Sequence, residues 1–193
     1  NENRNDHAAW LHITITDLLK KCQLSVNALN AIAVSIGPGS YTGLRVGLSA
    51  AKGFCYALKI PLLTVNTLEM MAFAVREETG EMICPLIDAR RSEVFTALYN
   101  KKREEILPPQ AMILDQNSFA SFLALHKIVF CGNGAQKLEK FISSPNALFS
   151  TTEHTAGHLG WLSAEKYGKK EFTELAYAEP FYIKEFYSTA GKS

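Results

Sequence analysis

Two histidines one helical turn apart, His154 and His158, form the chain's clearest metal-ligating pattern. Side chains at i and i+4 share a helix face and can chelate one cation. His154-Thr-Ala-Gly-His158 lacks the glutamate of an H-E-x-x-H site, and the sequence positions no acidic or cysteine cluster as a third ligand. An exposed first helical turn accounts for the pair, and no metal is expected. Asp88, Arg90 and Glu93 are residue types suited to acid–base work. In a short connection between two strands, opposite charges orient one another and stiffen the turn, so no catalytic residue is expected there. The third pattern is Gly37-Pro-Gly39-Ser40-Tyr-Thr42-Gly43. Gly37 and Gly39 give the turn backbone freedom, and Pro38 fixes one φ. Ser40 or Thr42 can cap a following helix, whose free N–H groups attract anions. Its spacing fits neither a Walker A loop nor a dinucleotide fingerprint, and no Ser or Cys stands in a nucleophile elbow. Gly132-Asn-Gly134 reads as a simple turn.

The glycine-rich turn joins an apolar strand, Ala31 to Ile36, to a long helix. Along that helix Leu44, Leu48, Ala51, Cys55 and Leu58 recur at steps of four and three, a stripe that must bury. Gly43, Gly47, Ala50 and Ala57, with Gly53 nearby, make a second side of small residues. Glycine inside a helix costs about 1 kcal/mol relative to alanine. Either this side packs closely on the chain's own sheet, or a helix from another subunit approaches it. His7 to Lys21 predicts another helix, with Asp6 as N-cap. Ala8, Leu11, Ile15, Leu18 and Cys22 form its apolar seam, and Trp10 lies off the seam, either packed on its own lobe or anchoring an interface.

A chain of 193 residues can bury a sizeable core in one domain or two small lobes. Its net charge of +1 gives no overall field to recruit nucleic acid. Glu104-Glu105 cancels Lys101-Lys-Arg103, so direct RNA binding by this chain is not expected. The four cysteines lie far apart in apolar segments with no C-x-x-C pair, as buried reduced thiols of a cytoplasmic protein would. No apolar run reaches membrane-spanning length and no signal peptide is evident, so no membrane partner is expected. The opening Asn1-Glu-Asn-Arg-Asn5 run lacks Met, as though something upstream were absent.

Beyond the long helix, Leu62 to Val65 predicts a short buried strand, and Thr67 caps a helix to about Glu77. The polar stretch Glu77 to Glu81 places a lobe boundary, giving an N-terminal lobe over 1–80 and a C-terminal lobe over 81–193. The second lobe reads as strands Met82 to Ile87 and Val94 to Asn100, a turn at Pro108-Pro109, and a short strand Met112 to Leu114. A helix over Gln116 to Leu125, a strand over Ile128 to Cys131, and helices over Ala135 to Ile142 and Thr155 to Tyr167 follow. Pro180 to Lys184 reads as extended. Alternating strands and helices make an α/β fold.

Gly37-Pro-Gly-Ser-Tyr-Thr-Gly-Leu-Arg-Val-Gly47, Ile60-Pro61, Asp88-Ala-Arg90 with Glu93-Val94, and more loosely Pro180-x-Tyr-Ile-Lys184, closely resemble the bacterial TsaB (YeaZ) proteins. The resemblance spans nearly the whole chain. It implies a two-lobe actin-like fold of the sugar kinase and Hsp70 superfamily. It also implies a scaffold that pairs with its catalytic paralogue TsaD and, through the complex, with the ATPase TsaE. Together they place threonylcarbamoyl on adenosine beside the tRNA anticodon. Family members begin with about three strands, carrying a Glu-Thr-Ser turn, that this sequence does not show. The metal-binding histidines of the catalytic relative correspond to Thr67 and Met71, which are poor ligands. The glycine-rich phosphate hairpin of the superfamily corresponds to Asp88-Ala-Arg-Arg-Ser-Glu93.

The resulting expectation is a non-catalytic subunit without a cofactor, touching tRNA only indirectly. Its docking surface would comprise Ala8, Trp10, Leu11 and Ile15 with Gly43, Leu44, Gly47, Leu48 and Ala51. Either a TsaD-like subunit or a second copy would bind there, each excluding the other. Gly47→Leu would block both assemblies and leave the monomer folded. The rival readings are a glycoprotease-type peptidase, which needs a nucleophile or metal, and a nucleotide-dependent chaperone, which rests on fold analogy alone.

Overall fold

The computed structural model describes residues 7–184, with side chains in the first helix from Trp10 onward. Its fold is mixed α/β. The chain divides into two units, the first reaching Val65 and including Leu159–Pro180, the second running Asn66–His158 and resuming at Phe181. The expected lobes met at residues 80 and 81, whereas these units meet at Val65–Asn66 and His158–Leu159, and the polar stretch Glu77 to Glu81 lies within the second unit. The return of Leu159–Pro180 to the first unit leaves no mark in composition.

The first unit opens with helix α1 (His7–Lys21). The expected caps and contacts of Asp6 and Ala8 lie outside the described residues. A 3-10 turn, Val26–Ala28, is capped by Ser25 Oγ, which accepts the Asn27 N–H at 3.3 Å. Strand β1 (Ile32–Gly37) leads into helix α2 (Tyr41–Leu58), which returns to strand β2 (Leu62–Asn66), and β1 and β2 pair as a two-stranded sheet. Ser40 is the N-cap of α2, its Oγ accepting the Gly43 N–H at 3.3 Å. Lys59 closes α2 in the left-handed region at φ 54°. Leu48, Ala51, Cys55 and Leu62 form the core, with Ile32, Val34, Ile36, Leu175 and Ala178 packed on it. The returning segment is tied down by an antiparallel bridge between Leu62 and Thr173, and by a 2.8 Å hydrogen bond between the Thr64 and Thr173 hydroxyls.

The second unit begins at helix α3 (Thr67–Ala74). Its N-cap is Asn66, whose Oδ1 accepts the Leu68 N–H at 2.8 Å, in place of the expected Thr67. Strands β3 (Met82–Asp88), β4 (Glu93–Asn100) and β5 (Glu105–Ile113) form an antiparallel meander. Pro108 and Pro109 fall inside β5, not in a turn. They are tolerated because β5 is an edge strand with irregular register against β4, where a missing N–H breaks no inner ladder. After helix α4 (Ala120–Leu123) come strand β6 (Ile128–Cys131), helix α5 (Ala135–Leu138) and strand β7 (Ala147–Phe149). Both helices are shorter than their sequence pattern predicts, and β7 was not anticipated. The sheet order is β5-β4-β3-β6-β7, with β6 parallel to β3 and to β7. One face buries Cys84, Leu86, Leu98, Phe130 and Leu138, and the other Leu68, Met71, Ile83, Tyr99 and Cys131. Helix α6 (Ala156–Gly168) begins in this unit and ends in the first.

Gly132 turns the chain between β6 and α5 at φ +91°. A Cβ there would stand 2.2 Å from Met71 Cε and 2.6 Å from the Leu86 carbonyl oxygen, so only glycine fits.

Candidate partner-binding site

The two faces of α2 do different work. Leu48 and Ala51 are 4% and 5% exposed, buried among β1, β2 and the returning segment. They anchor the helix to its own unit and are not available at its surface, as the sequence reading had placed them. Leu44 and Gly47 are half-buried. A Cβ at Gly47 would meet Val34 Cγ2 at 3.7 Å, so Gly47 faces β1, and a Cβ at Gly43 would meet its own cap, Ser40 Oγ, at 3.3 Å. Two of the small residues thus answer to internal packing.

The rest of the small side faces out. Val46, Ala50, Gly53 and Ala57, at steps of four, three and four, lie nearly half a turn from Leu48 and Cys55. With Arg45, Ser49, Phe54 and, from α1, His12, they line an open groove of about 680 Å³. Gly53 is exposed, and a Cβ there would meet nothing within 4 Å. The His12 and Phe54 rings meet at 5.9 Å between centroids, which joins α1 to the groove. On α1, Leu11 and Ile15 are half-buried, whereas Trp10, Ile13 and Leu18 are exposed. Leu18 and Cys22 were expected on the buried seam, but Leu18, inside α1, and Cys22, just after it, are both exposed. The sequence reading missed Val46, Phe54 and Ile13. A helical wheel centred opposite Leu48 would have found the first two.

The glycine-rich turn itself places Gly37 and Pro38 inside, while Gly39, Ser40 and Thr42 are exposed. One of its N–H groups is already taken by Ser40 Oγ.

Elsewhere the charged patterns have structural partners. Asp88 Oδ1 accepts from Lys137 Nζ and from the Arg90 N–H, each at 2.6 Å, and the Asp88 N–H donates to Asn133 Oδ1 at 2.9 Å. Lys137, then the Arg90 N–H, hold the Asp88 carboxyl below the usual aspartate range. Glu93 pairs with Lys184 at 2.5 Å. The turn is stiffened as expected, but by two distant lysines with no signal in the sequence. His158 Nδ1 accepts the Thr155 N–H at 2.9 Å, capping α6, and its ring meets Phe73 edge-on at 6.2 Å. That nitrogen is therefore committed. Among the described residues no three His, Cys, Asp or Glu side chains gather as a metal site. Met71, one of the two positions matching the catalytic relative's metal ligands, is 4% exposed within the core. No described helix is long and apolar enough to cross a membrane.

The family model of TsaD, tRNA N6-adenosine threonylcarbamoyltransferase, matches residues 1–181. The tRNA threonylcarbamoyladenosine biosynthesis protein TsaB of Bacillus subtilis (strain 168) is 30% identical over 177 residues, covering 84% of this chain and 75% of that protein. The chain belongs to the TsaB (YeaZ) family. YeaZ from Pseudomonas aeruginosa superposes with a TM-score of 0.73 at 29% identity, covering 91% of this chain and 84% of that one. A second Pseudomonas aeruginosa structure, described as an uncharacterized protein with similarity to peptidase YEAZ, gives 0.79 at 28%, covering 92% and 84%. The tRNA N6-adenosine threonylcarbamoyltransferase of Streptococcus equi subsp. zooepidemicus is 41% identical over 81 residues, only 42% of this chain and 24% of that enzyme. TsaB relatives named for threonylcarbamoyladenosine biosynthesis place the chain in that tRNA-modification pathway.

Proposed function

We propose that this TsaB-family chain is a non-catalytic scaffold of threonylcarbamoyladenosine synthesis that acts by docking a TsaD-type catalytic subunit on α1 and α2. The observation that carries this reading is the groove floored by Ala50, Gly53 and Ala57, whose small side chains leave room for a helix to approach closely. Trp10 and Ile13 stand exposed on the neighbouring helix and serve as apolar anchors. The two units correspond to the lobes of an actin-like fold. Thr67 and Met71 take the metal-ligand positions without ligand chemistry, so group transfer falls to the partner. A second copy competes for the same surface, the TsaE-type ATPase joins through the complex, and tRNA meets the assembly through the catalytic subunit. The test is co-purification of the tagged cognate TsaD-type subunit with wild-type and Ala57→Trp chains, alongside reconstituted tRNA modification. Ala57 is exposed, so tryptophan there fits the monomer while filling the groove. Loss of both capture and modification supports the proposal; undiminished capture refutes it.

A further inference from the structure

The connection between β3 and β4 holds two consecutive arginines in a backbone conformation that arginine disfavours. Arg90 and Arg91 stand at φ 73° and 49°, in the left-handed region where glycine and asparagine are the favoured residues. The chain reverses there through two hydrogen bonds. The Ala89 N–H donates to the Glu93 carbonyl at 3.0 Å, and the Glu93 N–H to the Arg90 carbonyl at 3.1 Å. Strained backbone persists only where surrounding contacts over-determine it, and those contacts are present. Asp88 Oδ1 accepts the Arg90 N–H at 2.6 Å. Lys137 on α5 donates to Asp88 Oδ1 at 2.6 Å and to the Arg91 carbonyl at 2.5 Å. The bonds that fix the turn thus use the arginine backbone and leave both guanidiniums out.

Arg90, Arg91 and Ser92 are exposed. The described carboxylates that border them in sequence or pairing are already engaged. Asp88 pairs with Lys137, and Glu93 with Lys184 at 2.5 Å. Asp115 follows Leu114, whose N–H donates to the Ser92 carbonyl, and its Oδ1 accepts from the Asn117 N–H and Ser118 Oγ at 2.9 and 3.0 Å. Among the described residues no ion pair joins either guanidinium. Packing does not account for the choice of residue, since neither arginine enters a core cluster. Asparagine or glycine would turn the chain with less strain. What arginine alone adds is a pair of permanently charged, planar donor groups suited to phosphate oxygens.

We propose that Arg90 and Arg91 form a phosphate contact for the tRNA substrate on the second unit, additional to the contact made through the catalytic subunit. In a tRNA-modification pathway the phosphate-bearing macromolecule at hand is tRNA, whose backbone presents phosphates in series. The net charge of +1 gave no reason to expect such a contact, because the signal is local and lies in the backbone of one turn. Two contacts of this kind bind RNA weakly and lose strength as salt rises.

The test titrates labelled, unmodified tRNA with the full chain from about 50 to about 200 mM NaCl, read by fluorescence anisotropy. Arg90→Gln with Arg91→Gln should raise Kd at low salt about 2- to 30-fold. It should also flatten the slope of log K against log salt by about 1.5, as the loss of two phosphate contacts requires. Arg90→Asn with Arg91→Gly should weaken binding as much while raising the melting temperature by about 2–4 °C, a split that a purely structural turn does not give. Lys169→Gln with Lys170→Gln removes two exposed charges from the first unit and should leave Kd within about twofold. A wild-type chain that fails to bind tRNA at low salt, or equal losses in the lysine and arginine variants, would overturn the proposal. Displacement by excess ATP as readily as by unlabelled tRNA would assign the turn to a nucleotide and overturn it too. So would intact tRNA binding with lost capture of the TsaD-type subunit, which would assign the turn to an acidic protein surface. Because the chain is titrated by itself, these outcomes are independent of the effect of Ala57→Trp on capture.

Discussion

Gly53→Leu separates docking from folding within one helix. The position is exposed, and a new Cβ there meets nothing within 4 Å, so the substitution starts from open space in its own chain. Replacing glycine by leucine in a helix interior gains about 0.8 kcal/mol. For a chain of this size that raises the melting temperature by about 2–3 °C. The same side chain occupies the groove floor where a partner helix would pack. Overpacking of that order costs about 1–3 kcal/mol, or roughly 5- to 150-fold in Kd. Gly47→Leu, six residues away, behaves differently. Its Cβ already reaches 3.7 Å from Val34 Cγ2, and the further carbons push on β1. It is expected to lower stability by about 1–3 kcal/mol, where the sequence alone suggested an undisturbed monomer. Calorimetric melting of both variants, followed by titration with the cognate TsaD-type subunit, gives the comparison. A Gly53→Leu chain that melts higher and binds with unchanged Kd would refute the groove as the contact.

Three other outcomes follow from the second unit and the thiols. Gly132→Ala combines a strained φ of +91° with contacts of 2.2 and 2.6 Å, and should cost about 3 kcal/mol or more by denaturant unfolding. Asp88 is held below its unfolded range by Lys137, so its contribution is present above the unfolded value and lost as pH falls through the folded one. Asp88→Asn should therefore destabilise at pH near 7 and lose that effect as pH falls through the lowered folded-state value, as read by urea midpoints across pH. Cys22 is exposed, while Cys55, Cys84 and Cys131 are buried and Cys131 is pushed up to about 12 by desolvation. A thiol reagent should label one cysteine rapidly in the native chain and all four after unfolding.

What the sequence made legible was local. The strand–turn–helix around Gly37 to Leu58, its Ser40 cap, and the Met82 to Asn100 hairpin follow from periodicity and turn chemistry. Less visible were features set by distant residues. Leu48 and Ala51 read equally well as a stripe seeking a partner or a core, and Leu175 and Ala178, more than a hundred residues on, make them core. Likewise Asp88 sits beside Arg90 in sequence but is paired by Lys137. Pro108 and Pro109 announce a turn to any local rule; only their place on an edge strand admits them to a sheet.

The path of the returning segment also bears on the order of synthesis. The surface proposed to greet a partner is encoded ahead of the five-stranded sheet, yet its supporting layer includes Thr173, Leu175, Ala176 and Ala178, which follow it. On the ribosome, the intervening sheet can form as a unit while the earlier helices still wait for those residues. Helices α1 and α2 thus gain their supporting layer only after the sheet that follows them in sequence, and the proposed docking surface matures later than its own position in the sequence suggests.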